Sequence, residues 1–301
     1  MKYVGYILLS VACACSSIVH AAYVYNAGAL SPGDTLLFLD STGNGGDTNS
    51  FDAVLREGTS KVGVILLHGR GERTSDGHVI LPLRLDLHTK GYTTLSIDTP
   101  LPDPVINANP ANYSNFQADA ALGGTNYVFP ELYSRVQAAT DELQSRGIER
   151  AVLVGFSMGS RLGSAYMSFG AAGSIPIVGF IGVGMASDNM ASLLDTPTSL
   201  AGISVPVLDL YGSLDNFTVL NSAANRAAAY AGPSYTQIEQ AGTEHQWVDY
   251  EPQLISHVDR WMNVYAPVPE PETYAMLMLG LALVGWAKRR TAGSGVTQLA
   301  P

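Results

Sequence analysis

Three side chains, widely separated in the chain, have the types needed to activate a hydroxyl for acyl transfer. Ser157 is the centre of Gly155-Phe156-Ser157-Met158-Gly159, Asp215 closes Leu210-Tyr211-Gly212-Ser213-Leu214-Asp215, and His245 lies in Gly242-Thr243-Glu244-His245-Gln246. A serine hydroxyl is barely nucleophilic at neutral pH. It needs a base, usually imidazole, and the base needs a carboxylate that fixes its tautomer and stabilises its cation. Of the other histidines, His20 falls in an apolar leader, His68 ends an early strand pattern, His78 lies in an early loop, and His88 and His257 lie inside helix patterns. His245 is the base this reading selects. For the acid, Asp209 is a fallback, ranked lower because it lies within a strand pattern and would point into a sheet face.

A negative charge developing on a carbonyl oxygen needs donors already in place. The backbone N–H of Met158, at a helix start, and that of Arg70, in the turn Leu67-His68-Gly69-Arg70-Gly71-Glu72, are the expected pair. Asp98, Arg73 and Glu244 are expected to line the same cleft.

The elements that must position these groups alternate in type. Ala151 to Val154 reads as a short buried strand and Ser160 to Met167 as a small-residue helix, so Ser157 falls on a sharp strand-to-helix turn flanked by glycines. Thr35 to Asp40 and Phe51 to Leu55 read as strands of a hairpin. Val62 to Leu67, Tyr92 to Ile97, Ile175 to Gly184, Val205 to Tyr211 and Tyr235 to Glu239 follow as strands. Between them, Val79 to Lys90, Glu131 to Arg146, Met185 to Leu194, Val219 to Tyr230 and Glu251 to Val264 read as helices. This alternation predicts an α/β domain with a mostly parallel central sheet flanked by helices, whose reactive groups gather at the carboxyl ends of the strands. Residues 100–130, rich in Asn, Pro and Ala, are expected to form a lid or mobile loop.

The chain has 301 residues, of which 47% are hydrophobic and 14% charged, enough for one large domain over residues 22–265. Its formal net charge is −10, and Lys2, Lys288, Arg289 and Arg290 lie at the two ends. An acidic domain excludes nucleic acid as a partner, because phosphate binding needs clustered cations. Residues 1–21 have the basic start, apolar stretch and small-residue Val19-His20-Ala21 site of a secretory signal, cut by signal peptidase. Cys13 and Cys15, the only cysteines, leave with it. Disulfides, thiolate metal sites and a cysteine nucleophile are thereby excluded, and no metal or organic cofactor is expected.

At the other end, Val268-Pro269-Glu270-Pro271-Glu272 precedes an apolar segment, 274–287, and then Lys288-Arg289-Arg290. As a helix that segment rises only about 21 Å against a hydrocarbon core of about 30 Å, so it is marginal as a permanent anchor. The tripartite pattern resembles the PEP-CTERM sorting signal of exopolysaccharide-producing Gram-negative bacteria. That resemblance implies that residues 266–301 are a sorting tail with a short transmembrane segment, recognised and processed by an exosortase. Thr291 to Pro301 is a longer extension than usual after the basic cluster.

Between the two ends, Leu66-Leu67-His68-Gly69, Gly155 to Gly159, Gly212-Ser213-Leu214-Asp215 and His245 resemble the α/β-hydrolase superfamily in its order of serine, acid and histidine. The resemblance spans roughly Val62 to Trp261. Leu81-Pro82-Leu83-Arg84, Gly91 to Ser96 and Val207 to Tyr211 are similar to a branch of exported bacterial proteins within it. The resemblance implies Ser157, Asp215 and His245 as a catalytic triad, with Met158 and Arg70 as the oxyanion hole, in an exported carboxylesterase-type hydrolase of a small or medium ester. The alternatives are a non-catalytic envelope protein that binds exopolysaccharide on the same fold, and a deacylase or acyltransferase of matrix polysaccharide.

Overall fold

A computed structural model describes residues 28–42, 48–75, 77–100, 132–169, 173–187, 195–268, 278–284, 286 and 288. The expected signal 1–21 lies outside these, as do all but Pro100 of the expected lid and much of the tail. The described residues form a single sheet of eight strands: β1 (Thr35–Thr42), β2 (Thr48–Arg56), β3 (Val62–Leu67), β4 (Thr93–Ile97), β5 (Arg150–Phe156), β6 (Ile177–Val183), β7 (Val207–Leu214) and β8 (Tyr235–Glu244). Their order is β1-β2-β4-β3-β5-β6-β7-β8. β1 pairs antiparallel with β2, and β2 antiparallel with β4, while every pair from β4 to β8 is parallel.

Covering both faces are α1 (Ile80–Thr89), α2 (Leu132–Ser145), α3 (Met158–Phe169), α4 (Thr196–Leu200), α5 (Phe217–Leu220), α6 (Ala223–Ala229) and α7 (Glu251–Tyr265). The period of two along β3 distributes the core. Ile65 and Leu67 face a cluster with Leu132, Val136 and Leu143 of α2 and Leu162 of α3. Val62, Val64 and Leu66 face Leu83 and Leu87 of α1 and Leu254, Val258 and Met262 of α7. Each large apolar side chain buried this way contributes roughly 1.5–3 kcal/mol. A parallel strand buried on both faces reads as an unbroken apolar run, which is why β3 and β5 were legible.

Three parts of the sequence reading change. Val219 to Tyr230 is not one helix but α5 and α6, because buried Arg226 bonds the Val219 carbonyl and the Ser222 hydroxyl and holds the break closed. Of the helix expected over 185–194, residues 185–187 are not helical and 188–194 lie outside the described residues. The backbone there has other partners: the Met185 carbonyl accepts from Arg226, and the Ser187 N–H donates to Thr218. The helix comes later, as α4, capped by Asp195, whose carboxylate accepts from the Thr198 N–H. β8 runs five residues beyond Glu239, past a register shift against β7 between Gly212 and Leu214.

Arg84, in the stretch Leu81 to Arg84, is fully buried and pairs with the carboxylate of Asp34, which also accepts from Arg56. Burial works against the Asp34 charge, but the guanidiniums and the Ser31 N–H outweigh it and hold its pKa below the usual carboxylate value. Arg84 is therefore an internal strut that ties α1 to the segment before β1.

Candidate active site

The carboxyl ends of the parallel strands β5, β6, β7 and β8 bring the three sequence-selected side chains together. Ser157 follows β5 directly and has φ +51°, a left-handed backbone that a non-glycine residue adopts at a cost of roughly 1–2 kcal/mol. Neighbouring glycines make this turn possible. A Cβ on Gly155 would lie 2.5 Å from the Gly159 carbonyl oxygen, and one on Gly159 would lie 2.2 Å from that of Leu67. The Ser157 N–H donates to the Val183 carbonyl at 2.8 Å, so the sheet bonding between β5 and β6 continues through the turn. Rigid strands therefore hold the serine, which is half-buried.

His245 follows β8. Its Nε2 lies 2.9 Å from Ser157 Oγ and its Nδ1 lies 2.6 Å from Asp215 Oδ1. A carboxylate can only accept, so Nδ1 carries the proton and Nε2 is left as an acceptor for the serine O–H. The imidazole stacks at a tilt on Phe156, with ring centroids 5.1 Å apart. Asp215 is almost wholly buried, and its carboxylate is held by two further donors, the Asn216 N–H at 2.6 Å to Oδ1 and the Gly212 N–H at 3.3 Å to Oδ2. Bonds of this kind hold the carboxylate in one orientation beneath the imidazole. Asn216 stands at the N-cap position of α5 and makes no side-chain capping bond there.

Asp209, the fallback acid, is elsewhere. It is fully buried, accepts from Arg226 Nε at 2.7 Å, Tyr235 Oη at 2.6 Å and Gln237 Nε2 at 2.8 Å, and serves the packing of α6 on β7. Its alternation along β7 points it into the sheet face, as the strand pattern implied.

Met158 opens α3, where its N–H has no acceptor inside the helix. The turn carrying Arg70 packs on that helix start: a Cβ on Gly159 would also lie 2.6 Å from the His68 carbonyl oxygen. His68 fixes the turn from within. Its Nδ1 donates to the Gly69 carbonyl at 2.9 Å, and its Nε2 accepts from the Thr99 N–H at 3.0 Å. Glu72 adds a second tie by accepting from the Gly69 N–H at 3.0 Å. The Arg70 and Arg73 side chains are exposed. Asp98 is engaged by Arg135 at 2.9 Å and lies 3.3 Å from His68 Nε2, and Glu244 is exposed at the end of β8.

Gly184 was missed. It follows β6 with φ +61°, and a Cβ there would lie 2.8 Å from His245 Cε1 and 3.6 Å from Asp215 Oδ2. The only signal in the sequence was a glycine at the end of a strand pattern. Apart from His20, which lies outside the described residues, the remaining histidines are engaged elsewhere: His78 with Glu251, His88 with the Glu57 carbonyl and His257 with Gln240. Among the described residues no cluster of His, Cys, Asp and Glu is placed to hold a metal ion.

A profile of the PEP-CTERM protein-sorting motif matches residues 267–290. No curated protein matches the chain in sequence. Solved structures do resemble it in fold. A cold-adapted esterase from an Arctic intertidal metagenomic library superposes with a TM-score of 0.56 at 14% identity, over 80% of this chain and 99% of that one. A Pyrococcus furiosus esterase gives 0.56 at 14% identity over 82% and 99%, and Est1E from Butyrivibrio proteoclasticus gives 0.53 at 12% over 75% and 97%. The fold is that of the α/β-hydrolases. Among the described residues no helix is long and apolar enough to cross a membrane.

Proposed function

We propose that this chain is an exported serine hydrolase of carboxylesterase type that cleaves a small or medium ester through an acyl-enzyme on Ser157. The observation that carries the reading is the continuous line from Asp215 through His245 to Ser157, with contacts of 2.6 and 2.9 Å, ending on a serine held at φ +51°. Ser157 Oγ attacks the ester carbonyl carbon while its proton passes to His245 Nε2. The oxyanion receives the N–H groups of Met158 and Arg70. Collapse breaks the bond to the alcohol, which leaves with the proton from His245. Water then attacks the acyl-enzyme, giving its proton to the same nitrogen, and the acid is released as Ser157 is reprotonated. The Asp215 carboxylate orients His245 and stabilises the imidazolium in both halves.

A leader at residues 1–21, removed by signal peptidase, and the sorting tail at 266–301 would place this chemistry outside the cytoplasm. The tail's match to the PEP-CTERM motif supports processing by an exosortase. Its apolar segment, 274–287, would hold the precursor at the membrane, and association with exopolysaccharide would follow release. A fluorophosphonate probe tests the mechanism. Wild type is expected to label covalently and Ser157→Ala not at all, whereas a folded wild type that never labels removes the acyl-enzyme.

A further inference from the structure

Ser157 and the point where the chain leaves the domain lie at opposite ends of the sheet. The serine follows the carboxyl end of β5, and β5 begins at Arg150, seven residues or about 20 Å away. The exit is at that amino-terminal end. After α7, Ala266 is fully buried and its carbonyl accepts from the Tyr92 hydroxyl at 2.9 Å. Burial pushes the Tyr92 phenol up to about 12, so this donor persists at all ordinary pH. Val268 then reaches Gly91, its Cγ1 being 3.5 Å from where a Cβ on that glycine would stand. With Gly58, Lys61, Lys90 and Arg150 it lines a hollow of about 750 Å³ beneath the starts of β3 and β5.

Beyond that exit comes a helical stretch whose apolar side chains stand exposed. Met278, Leu279, Leu281, Leu283 and Val284 are each more than half exposed. An exposed apolar run marks a surface for a membrane or a partner, and the basic cluster Lys288-Arg289-Arg290 after it favours the membrane, with that end at the charged interface. The connection to it is short. Five residues separate Val268 from Tyr274, six Cα steps with a reach of at most about 22 Å, against a diameter of roughly 45 Å for a domain of some 240 residues. Such a tether lets the domain tilt. It is too short to carry the opposite end round to the bilayer.

We propose that, for as long as the tail is attached, it holds the domain with the starts of β3, β4 and β5 toward the bilayer, so that Ser157 opens away from it. The substrate is then an acyl ester arriving from the solution or matrix side, and not the acyl lipids of the anchoring membrane. This rests on the membrane reading of segment 274–287, and its substrate half rests on the hydrolase reading.

The two ends can be read separately in the full chain with Cys13 and Cys15 replaced by serine. A single donor dye is placed through Lys61→Cys, whose side chain is 70% exposed beside β3, or through Phe217→Cys, 75% exposed two residues after Asp215. Phosphatidylethanolamine and phosphatidylglycerol vesicles carry an acceptor-labelled lipid. Transfer from position 61 is expected to exceed that from position 217 at least about twofold, given the tether and domain size. Equal or reversed transfer overturns the orientation alone. No transfer from either position overturns the membrane reading of the tail, and the orientation with it. On the same vesicles, the bound chain is expected to turn over soluble p-nitrophenyl butyrate as it does without lipid, and to lose turnover of p-nitrophenyl palmitate dissolved in that bilayer. Preference for the embedded ester overturns the substrate class. Turnover of neither ester defeats the hydrolase reading, while the transfer pair still judges the orientation.

Discussion

Gly184 and His245 fit against each other so closely that a single methyl group would part them. The ideal Cβ position on Gly184 is 2.8 Å from His245 Cε1 and 3.0 Å from Nδ1, in backbone with φ +61°. Its N–H continues the sheet by donating to Leu210 at 2.8 Å, so the backbone cannot retreat without breaking the β6–β7 ladder. The imidazole has to move instead, and its bonds to Asp215 and Ser157 move with it.

Gly184→Ala is therefore expected to cost about 1–2 kcal/mol of stability through the left-handed backbone, and to lower ester turnover on the order of 100-fold through misplacement of the base. A thermal melt paired with p-nitrophenyl acetate kinetics separates the two. Full turnover in a folded Gly184→Ala protein would show that the site tolerates a shifted imidazole.

Asp215→Asn tests how the carboxylate acts. An amide can donate its NH2 to His245 Nδ1, and the ring then keeps its proton on Nε2, where it can no longer take one from Ser157. A fall in kcat on the order of 10⁴-fold is expected. The cost to the melting temperature should be that of one bond: the amide oxygen in place of Oδ2 still accepts from Gly212, whereas the NH2 in place of Oδ1 cannot accept from Asn216, a loss of about 1–3 kcal/mol.

Asp209→Ala should do the reverse. It leaves the fully buried guanidinium of Arg226 without its carboxylate, a loss expected to destabilise by about 3–5 kcal/mol. The fraction that remains folded should still label with a fluorophosphonate at the wild-type rate. Folded protein that melts normally but fails to label would instead make Asp209 the acid.

What the sequence discloses and what it hides divide along physical lines. Ser157, Asp215 and His245 are legible because each is announced by its own neighbours: glycines around the serine, and apolar strand runs just before the acid and the base. Gly184 is not, since its role is a contact with a ring 61 positions away, and nothing local distinguishes it from any glycine that ends a strand. The break between α5 and α6 is hidden for the same reason. Its Ala-rich residues suit a helix, and the interruption is imposed by Arg226, which bonds Asp209 from β7 and the Met185 carbonyl that follows β6. Propensity is local, whereas these decisions are made by partners elsewhere in the fold.

His257 should give the fold a pH dependence in a window of its own. Burial and the Arg260 cation lower its pKa below the usual 6.5. The geometry agrees: Nε2 donates to Gln240 Oε1 at 2.9 Å and Nδ1 accepts from Arg260 at 2.7 Å, so a second proton would displace the arginine. In the unfolded chain His257 takes a proton as pH falls through about 6.5, whereas the folded chain resists until lower. Below that point the unfolded state binds more protons, and stability must fall. Above it the residue contributes no slope. Asp34 and Glu251, whose pKa values are lowered, hold their contributions above about pH 4 and lose them only on further acidification. Urea unfolding of wild type and His257→Gln between pH 7.5 and 5 should therefore show curves that are parallel at the upper end, with wild type losing more stability toward pH 5. Identical slopes throughout that range would mean that His257 takes up its proton equally in both states.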